Sequence, residues 1–121
     1  METIIKFGSV EYKAKANAFT AMIYKNAFDT DILQDTWEAL GGLQNLLDLQ
    51  GKTEKEIIKG LVEEIDTVKV YQLVWAFIKT ADKQTLPFQH FLEANDYVPI
   101  TTLIQDENFI ELLAGNVQRK K

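Results

Sequence analysis

Few residues in this chain have a type and spacing that could support catalysis, and each has a simpler use. The single histidine, His90, lies between Phe88 and Phe91. An imidazole can serve as a general base, but no G-x-S-x-G sequence supplies a nucleophile beside it, and its aromatic neighbours mark a rim or core position. Asp29, Asp31 and Asp35 are closely spaced, and Asp29-Thr30-Asp31 resembles the opening of a calcium loop. That loop needs glycine at its sixth position and glutamate at its twelfth, where this chain has Gln34 and Leu40. Helix capping accounts better for these aspartates. Glu63, Glu64 and Asp66 fall at a helix end on a solvated face, and Asp106, Glu107 and Glu111 read the same way. With nothing to desolvate them, they do not suit general acid work. Gly41-Gly42 is followed by no lysine in phosphate-loop register. The absence of cysteine removes disulfides, thiolate zinc sites and cysteine nucleophiles. The sequence therefore predicts no enzyme, no metal and no cofactor.

The elements that must position these residues are mostly helical. Ile5, Phe7, Val10 and Tyr12 alternate with polar neighbours around Gly8-Ser9, which predicts a short N-terminal β-hairpin within residues 1–14. Asn17 can cap a helix to about Phe28, with Phe19, Met22, Ile23 and Asn26 on one face. Asp31 is a plausible cap for the next helix. Leu33, Trp37, Leu40, Leu43 and Leu47 form an apolar stripe there, expected to face the core. Gly41-Gly42 should break or kink that helix, at about 2 kcal/mol of propensity. Thr53-Glu54-Lys55-Glu56 is a capping box opening an amphipathic helix through Ile65. From Val68 to Ala81 apolar side chains surround the axis, which places this helix at the centre of the fold. Pro87 and Pro99 then start two further helices, the last ending near Gly115. The expectation is one mainly α domain over 1–121, with five to six helices within 17–115 and a basic tail over 116–121.

Length and composition agree with a single core. The chain has 121 residues, 46% apolar and 26% charged, too apolar for a disordered chain. The longest apolar run, Val70 to Ile78, is far shorter than the roughly 20 residues that a bilayer span requires. The N-terminus lacks the features of a signal peptide, so a cytoplasmic protein is expected. Net charge is −5 and unevenly placed. Residues 26–66 carry ten acids against three lysines, a balance of −7, whereas Arg119-Lys120-Lys121 adds +3. Such a surface repels nucleic acid over most of its extent.

The last helix holds more apolar surface than one core contact uses. At 100° per residue, Phe109, Ile110, Leu112 and Leu113 fill one sector and Ile100, Leu103 and Ile104 a neighbouring one. Either the fold clasps a terminal helix, or this is a surface for a partner or a second copy. Ile100, Leu103, Ile104, Phe109, Ile110 and Leu113 are the candidate partner-binding residues.

Three stretches carry a resemblance. The first is Ile5-Lys6-Phe7-Gly8-Ser9-Val10-Glu11-Tyr12-Lys13 with the following Phe19-to-Asp31 helix. The second is Trp75-Ala76-Phe77-Ile78-Lys79-Thr80-Ala81-Asp82-Lys83, and the third is Leu86-Pro87-Phe88-Gln89-His90-Phe91-Leu92. In this order they resemble the tail assembly chaperones of long-tailed phages and prophages of Gram-positive bacteria. The resemblance implies a protein of the host bacterial cytoplasm that keeps the long tape measure protein soluble while tail tube protein polymerises around it. It also implies absence from the mature virion, and it brings no catalytic residues. Two other functions remain open: a small structural or connector component of the particle, and a helical nucleic-acid-binding regulator, against which the acidic middle argues.

Overall fold

Gly8 and Ser9 turn the chain between β1 (Glu2–Phe7) and β2 (Val10–Lys15), which pair antiparallel with Phe7 opposite Val10 and Ile5 opposite Tyr12. The computed structural model describes residues 2–47 and 66–117, and the side chains of 2–39 and 66–115. The helix expected from Thr53 and the basic end of the tail lie outside the described residues, as do the side chains of Leu40, Leu43 and Leu47. Gly8 takes a φ of +71° while Ser9 does not turn positive, the pattern of a type II′ hairpin. The period of two then sorts the side chains. Ile5, Phe7 and Ala14 are buried. On the other face Lys6 stands opposite Glu11 and Glu2 opposite Lys15, opposite charges in register.

A Cβ added at Gly8 would lie 3.3 Å from Val98 Cγ2. Gly8→Ala is thus expected to cost about 1–2 kcal/mol from the left-handed backbone alone, more if Val98 cannot yield. Thermal unfolding of the variant checks this, and an unchanged midpoint would mean that the turn relaxes to another type.

Six helices follow among the described residues, so the chain is mainly α with an N-terminal hairpin, as its sequence pattern requires. Helix α1 (Ala18–Phe28) opens with a reciprocal cap: Phe19 N–H donates to Asn17 Oδ1, and Asn17 N–H donates to Thr20 Oγ1. It ends at Asp29, held in the left-handed region at φ 59°. Helix α2 (Ile32–Leu47) opens on Asp31, which accepts from Leu33 N–H at 2.8 Å. It continues through Gly41-Gly42 without a break. Packing along its neighbours outweighs the local propensity cost, as it does for most helices in proteins.

Helix α3 (Thr67–Ala81) starts on the Asp66 carboxylate and is the spine of the molecule. Val70, Leu73, Val74, Trp75, Ala76, Phe77, Ile78 and Thr80 are all buried along it, against β2, α1, α2 and α4 (Phe88–Glu93). Aromatic rings close its two flanks. Phe7, Tyr12, Tyr71 and Phe91 pack on the hairpin side, and Tyr24, Phe28, Trp75 and Phe88 on the α1 side.

The last helix departs from the expectation. It is two helices, α5 (Ile100–Ile104) and α6 (Glu107–Val117), separated at Gln105-Asp106. Asp106 Oδ1 accepts from the N–H groups of Asn108 and Phe109, so this residue caps α6 rather than continuing α5. Its other oxygen accepts from Lys6 N–H, and Asn108 Nδ2 donates to Ile4 O. Asp106 and Asn108 thus satisfy backbone groups on the outer edge of β1 that would otherwise remain open to pairing.

Candidate functional site

The break at Asp106 re-aims the residues that the sequence nominates for partner binding. Leu103, Phe109 and Leu113 are buried in the core, together with Leu112. Phe109 lies edge-on to Phe77. Ile100, Ile104 and Ile110 are half-buried and pack against the same core. A continuous helix would have spread these side chains over two sectors. The corner at Gln105-Asp106 turns both sectors inward, so Leu103, Phe109 and Leu113 form no contact surface.

Exposed large apolar residues are scattered at Ile4, Val10, Val68, Leu86 and Tyr97, and four more lie together on α1 and α2. The Leu33–Trp37 stripe, expected to face the core, faces solvent: Trp37 is 59% exposed and Leu33 37%. Ile32, Asp35, Thr36 and Ala39 face inward in their place. Helix α1 is turned in the same sense. It buries Thr20, Ile23 and Tyr24, while Phe19 and Met22 of the expected inner face are exposed.

Polar partners explain both rotations. The Asp35 side chain is 3% exposed, accepts a 2.6 Å bond from the Tyr24 hydroxyl and one of 3.0 Å from Thr30, and lies 3.3 Å from Lys69 Nζ. Gln72 Oε1 lies 3.1 Å from the same Tyr24 hydroxyl, and Lys69 also reaches Glu38 at 2.8 Å. A second chain joins α1 to α3. Asn17 N–H donates to Thr20 Oγ1, which bonds Thr80 Oγ1 at 2.8 Å, and Thr80 donates to Ala76 O at 2.7 Å. Thr80 has spent its proton on Ala76, so Thr20 is the donor to Thr80. Each buried hydroxyl and carboxylate at these helix contacts is thereby bonded, which is the condition for burying it.

Burial pushes the Tyr24 hydroxyl well above the ordinary tyrosine range, reinforced by its bond to Asp35 and by that carboxylate's charge. Burial also raises Tyr71, whose hydroxyl donates to Val98 O. The hydrogen bond to Glu38, aided by Asp35, raises Lys69. All three act in one direction. Above about pH 10 an unfolded tyrosine gives up its proton while the folded one keeps it, so the folded state binds more protons and stability falls as pH rises. Each tyrosine contributes up to about 1.4 kcal/mol per pH unit in that window. Urea midpoints measured from pH 8 upward should stay level and then decline above about pH 10, and Tyr24→Phe should make the decline shallower. An identical slope in Tyr24→Phe would remove Tyr24 from the account.

Of the remaining residues singled out for chemistry, Glu63 and Glu64 lie outside the described residues. His90 is exposed on α4. Asp29 ends α1 and Asp31 begins α2, as capping requires. Asp82 accepts from Gln84 N–H and shapes the turn after α3. Among the described residues no group of three or more histidine, cysteine, aspartate or glutamate side chains could hold a metal ion, and no helix is long and apolar enough to cross a membrane.

What α1 and α2 form together is a groove. It holds about 510 Å³ and is lined by Ala16, Asn17, Ala18 and Ala21 from the α1 side and by Asp31, Ile32 and Leu33 from the α2 side, with Gly115 also at its surface. Small alanines make the concavity. Met22 stands one helical turn from Ala18, and Trp37 one turn from Leu33, so apolar surface continues outward from the groove along both helices. Periodicity could not have found it, because a stripe pattern does not say which stripe is buried. The sign that was available is Asp35-Thr36 with Tyr24 and Thr20, polar residues able to satisfy one another. No protein-family profile, curated protein or solved structure matches this chain.

Proposed function

We propose that this protein is a phage tail assembly chaperone that binds the tape measure protein in the host cytoplasm and keeps it soluble until tail tube protein encloses it. One observation carries the reading beyond the resemblance. Helices α1 and α2 bury polar side chains and present Met22, Leu33 and Trp37 to solvent beside a groove of mixed polarity. A protein that only had to fold would gain by the reverse arrangement, since burying an exposed large apolar side chain stabilises by about 1.5–3 kcal/mol. Exposed tryptophan is the residue type most concentrated at binding hot spots. A chaperone also has to release its client, which fits a docking face of a few apolar anchors on an acidic, soluble body.

The test is co-expression with the tape measure protein encoded beside it. The client should stay in the soluble fraction and co-purify, and Trp37→Ser should return it to the pellet. Equal solubility of the client alone would remove the function. Stoichiometric copies of this chain in purified particles, found by mass spectrometry, would favour a structural component of the virion instead.

A further inference from the structure

We infer that the α1–α2 groove and the Leu33–Trp37 stripe dock a basic amphipathic helix. This inference rests on the binding function just proposed and adds the chemistry of what is bound. Shape supplies the first part. Ala18, Ala21, Ile32 and Leu33 give the groove its apolar lining, beside the polar Asn17 and Asp31. Leu33 and Trp37 are one turn apart on a single helix. Two anchors at that spacing, leading into a concavity of side-chain width, match a partner helix that offers apolar residues at i, i+3, i+4 and i+7.

Charge supplies the second part. Asp29, Asp31, Asp35 and Glu38 lie on the turn before α2 and on its first half. Nearby positive charge is already engaged: Lys25 lies 3.9 Å from Asp29, Lys69 is held between Asp35 and Glu38, and Lys83, next to Asp82, sits over the Phe19 ring at 5.2 Å. Asp35 is buried and balanced by Lys69, so the exposed acids Asp29, Asp31 and Glu38 against Lys25 leave the rim of the groove negative. The two helix N-termini that open on the groove do not reverse the sign. Their first N–H groups are taken by Asn17 and Asp31, and Asp31 brings a full negative charge. A second copy of this chain that offered the same face would bring the same acid excess against it, so the charge opposes symmetric self-pairing and favours a lysine- or arginine-bearing partner.

The experiment uses the full chain and two synthetic helical peptides of about 18 residues, five turns. Both carry leucine at i, i+3, i+4 and i+7. One has lysine on its outer face and the other glutamate. Binding is followed by anisotropy of the labelled peptide and by the fluorescence of Trp37, which is exposed and should shift to the blue on docking. The lysine peptide should bind saturably, more weakly as salt rises, and the glutamate peptide should not bind. Trp37→Ser and Leu33→Ser, both at exposed positions, should each weaken binding by at least about tenfold. Circular dichroism confirms that the variants are folded. Equal binding of both peptides, no binding, or an affinity for the lysine peptide that Trp37→Ser leaves unchanged would each overturn the assignment. So would a free protein that sediments as a dimer and is dissociated by Trp37→Ser, because a second copy would then own the face. Co-expression separates the two levels. If Trp37→Ser still keeps the tape measure soluble, the chaperone function stands and this docking face does not.

Discussion

Phe77→Ala is expected to lower the unfolding free energy by about 3–5 kcal/mol. Phe77 is fully buried at mid-length in α3, the helix that β2, α1, α2 and α4 all pack against, and its ring meets Phe109 at a centroid distance of 6.2 Å. Truncation removes the transfer energy of the ring and leaves a cavity, and a helix held by this many neighbours cannot collapse to fill it. Small domains have roughly 5–15 kcal/mol in total, so the variant should retain a minor share of its stability and melt at least about 10 °C lower. The urea midpoint should fall with little change in slope, the sign of lost stability rather than an altered unfolded state. Phe77→Leu keeps most of the volume and should cost roughly 1–2 kcal/mol. A loss below about 1 kcal/mol for the alanine variant would mean that the core does not close on this ring.

The second large effect is a reversal of order within α2. Asp35→Ala should cost about 2–3 kcal/mol, because it removes a charged acceptor and leaves a buried tyrosine hydroxyl and a lysine short of a partner. Gln72 and Glu38 remain within reach of Tyr24 and Lys69, which keeps the loss below that of a fully orphaned buried charge. Trp37→Ser should stay within about 0.5 kcal/mol, since the ring is mostly in water. Hydrophobicity alone orders the two the other way, with tryptophan essential and aspartate dispensable. Chemical denaturation of both variants decides between the orders. A Trp37→Ser protein less stable than Asp35→Ala would place the stripe inside and remove the docking face with it.

The resemblance and the geometry bear on different levels. The stretches that suggested a tail assembly chaperone hold structural positions. Gly8 makes the turn, Trp75 Nε1 donates to Leu86 O, Thr80 ties α3 to α1, and Asp82 shapes the loop that follows. These residues account for the form of the scaffold. The proposed binding depends on Met22, Leu33 and Trp37, whose types are ordinary and whose significance lies in their orientation.

Local rules settled much of the fold before any tertiary contact was considered. The hairpin follows from a Gly-Ser pair between alternating residues, and α1 and α2 begin at Asn17 and Asp31 because those side chains accept from the first free N–H groups. The starts of α4 and α5 follow from Pro87 and Pro99, and the central place of α3 from its apolar circumference. Each of these is decided within a few residues, or by the cost of leaving a helix with no polar face in water. What only the tertiary structure decided is which side of a helix points inward when two sides are possible. Asp35 is buried because Tyr24, Thr30 and Lys69 converge on it from three other segments, and Asp106 ends α5 because it also caps α6 and holds the edge of β1. A polar group can enter the core only when partners distant in sequence meet it there. That convergence, which no local pattern encodes, turned Leu33 and Trp37 out into solvent and made the groove beside them.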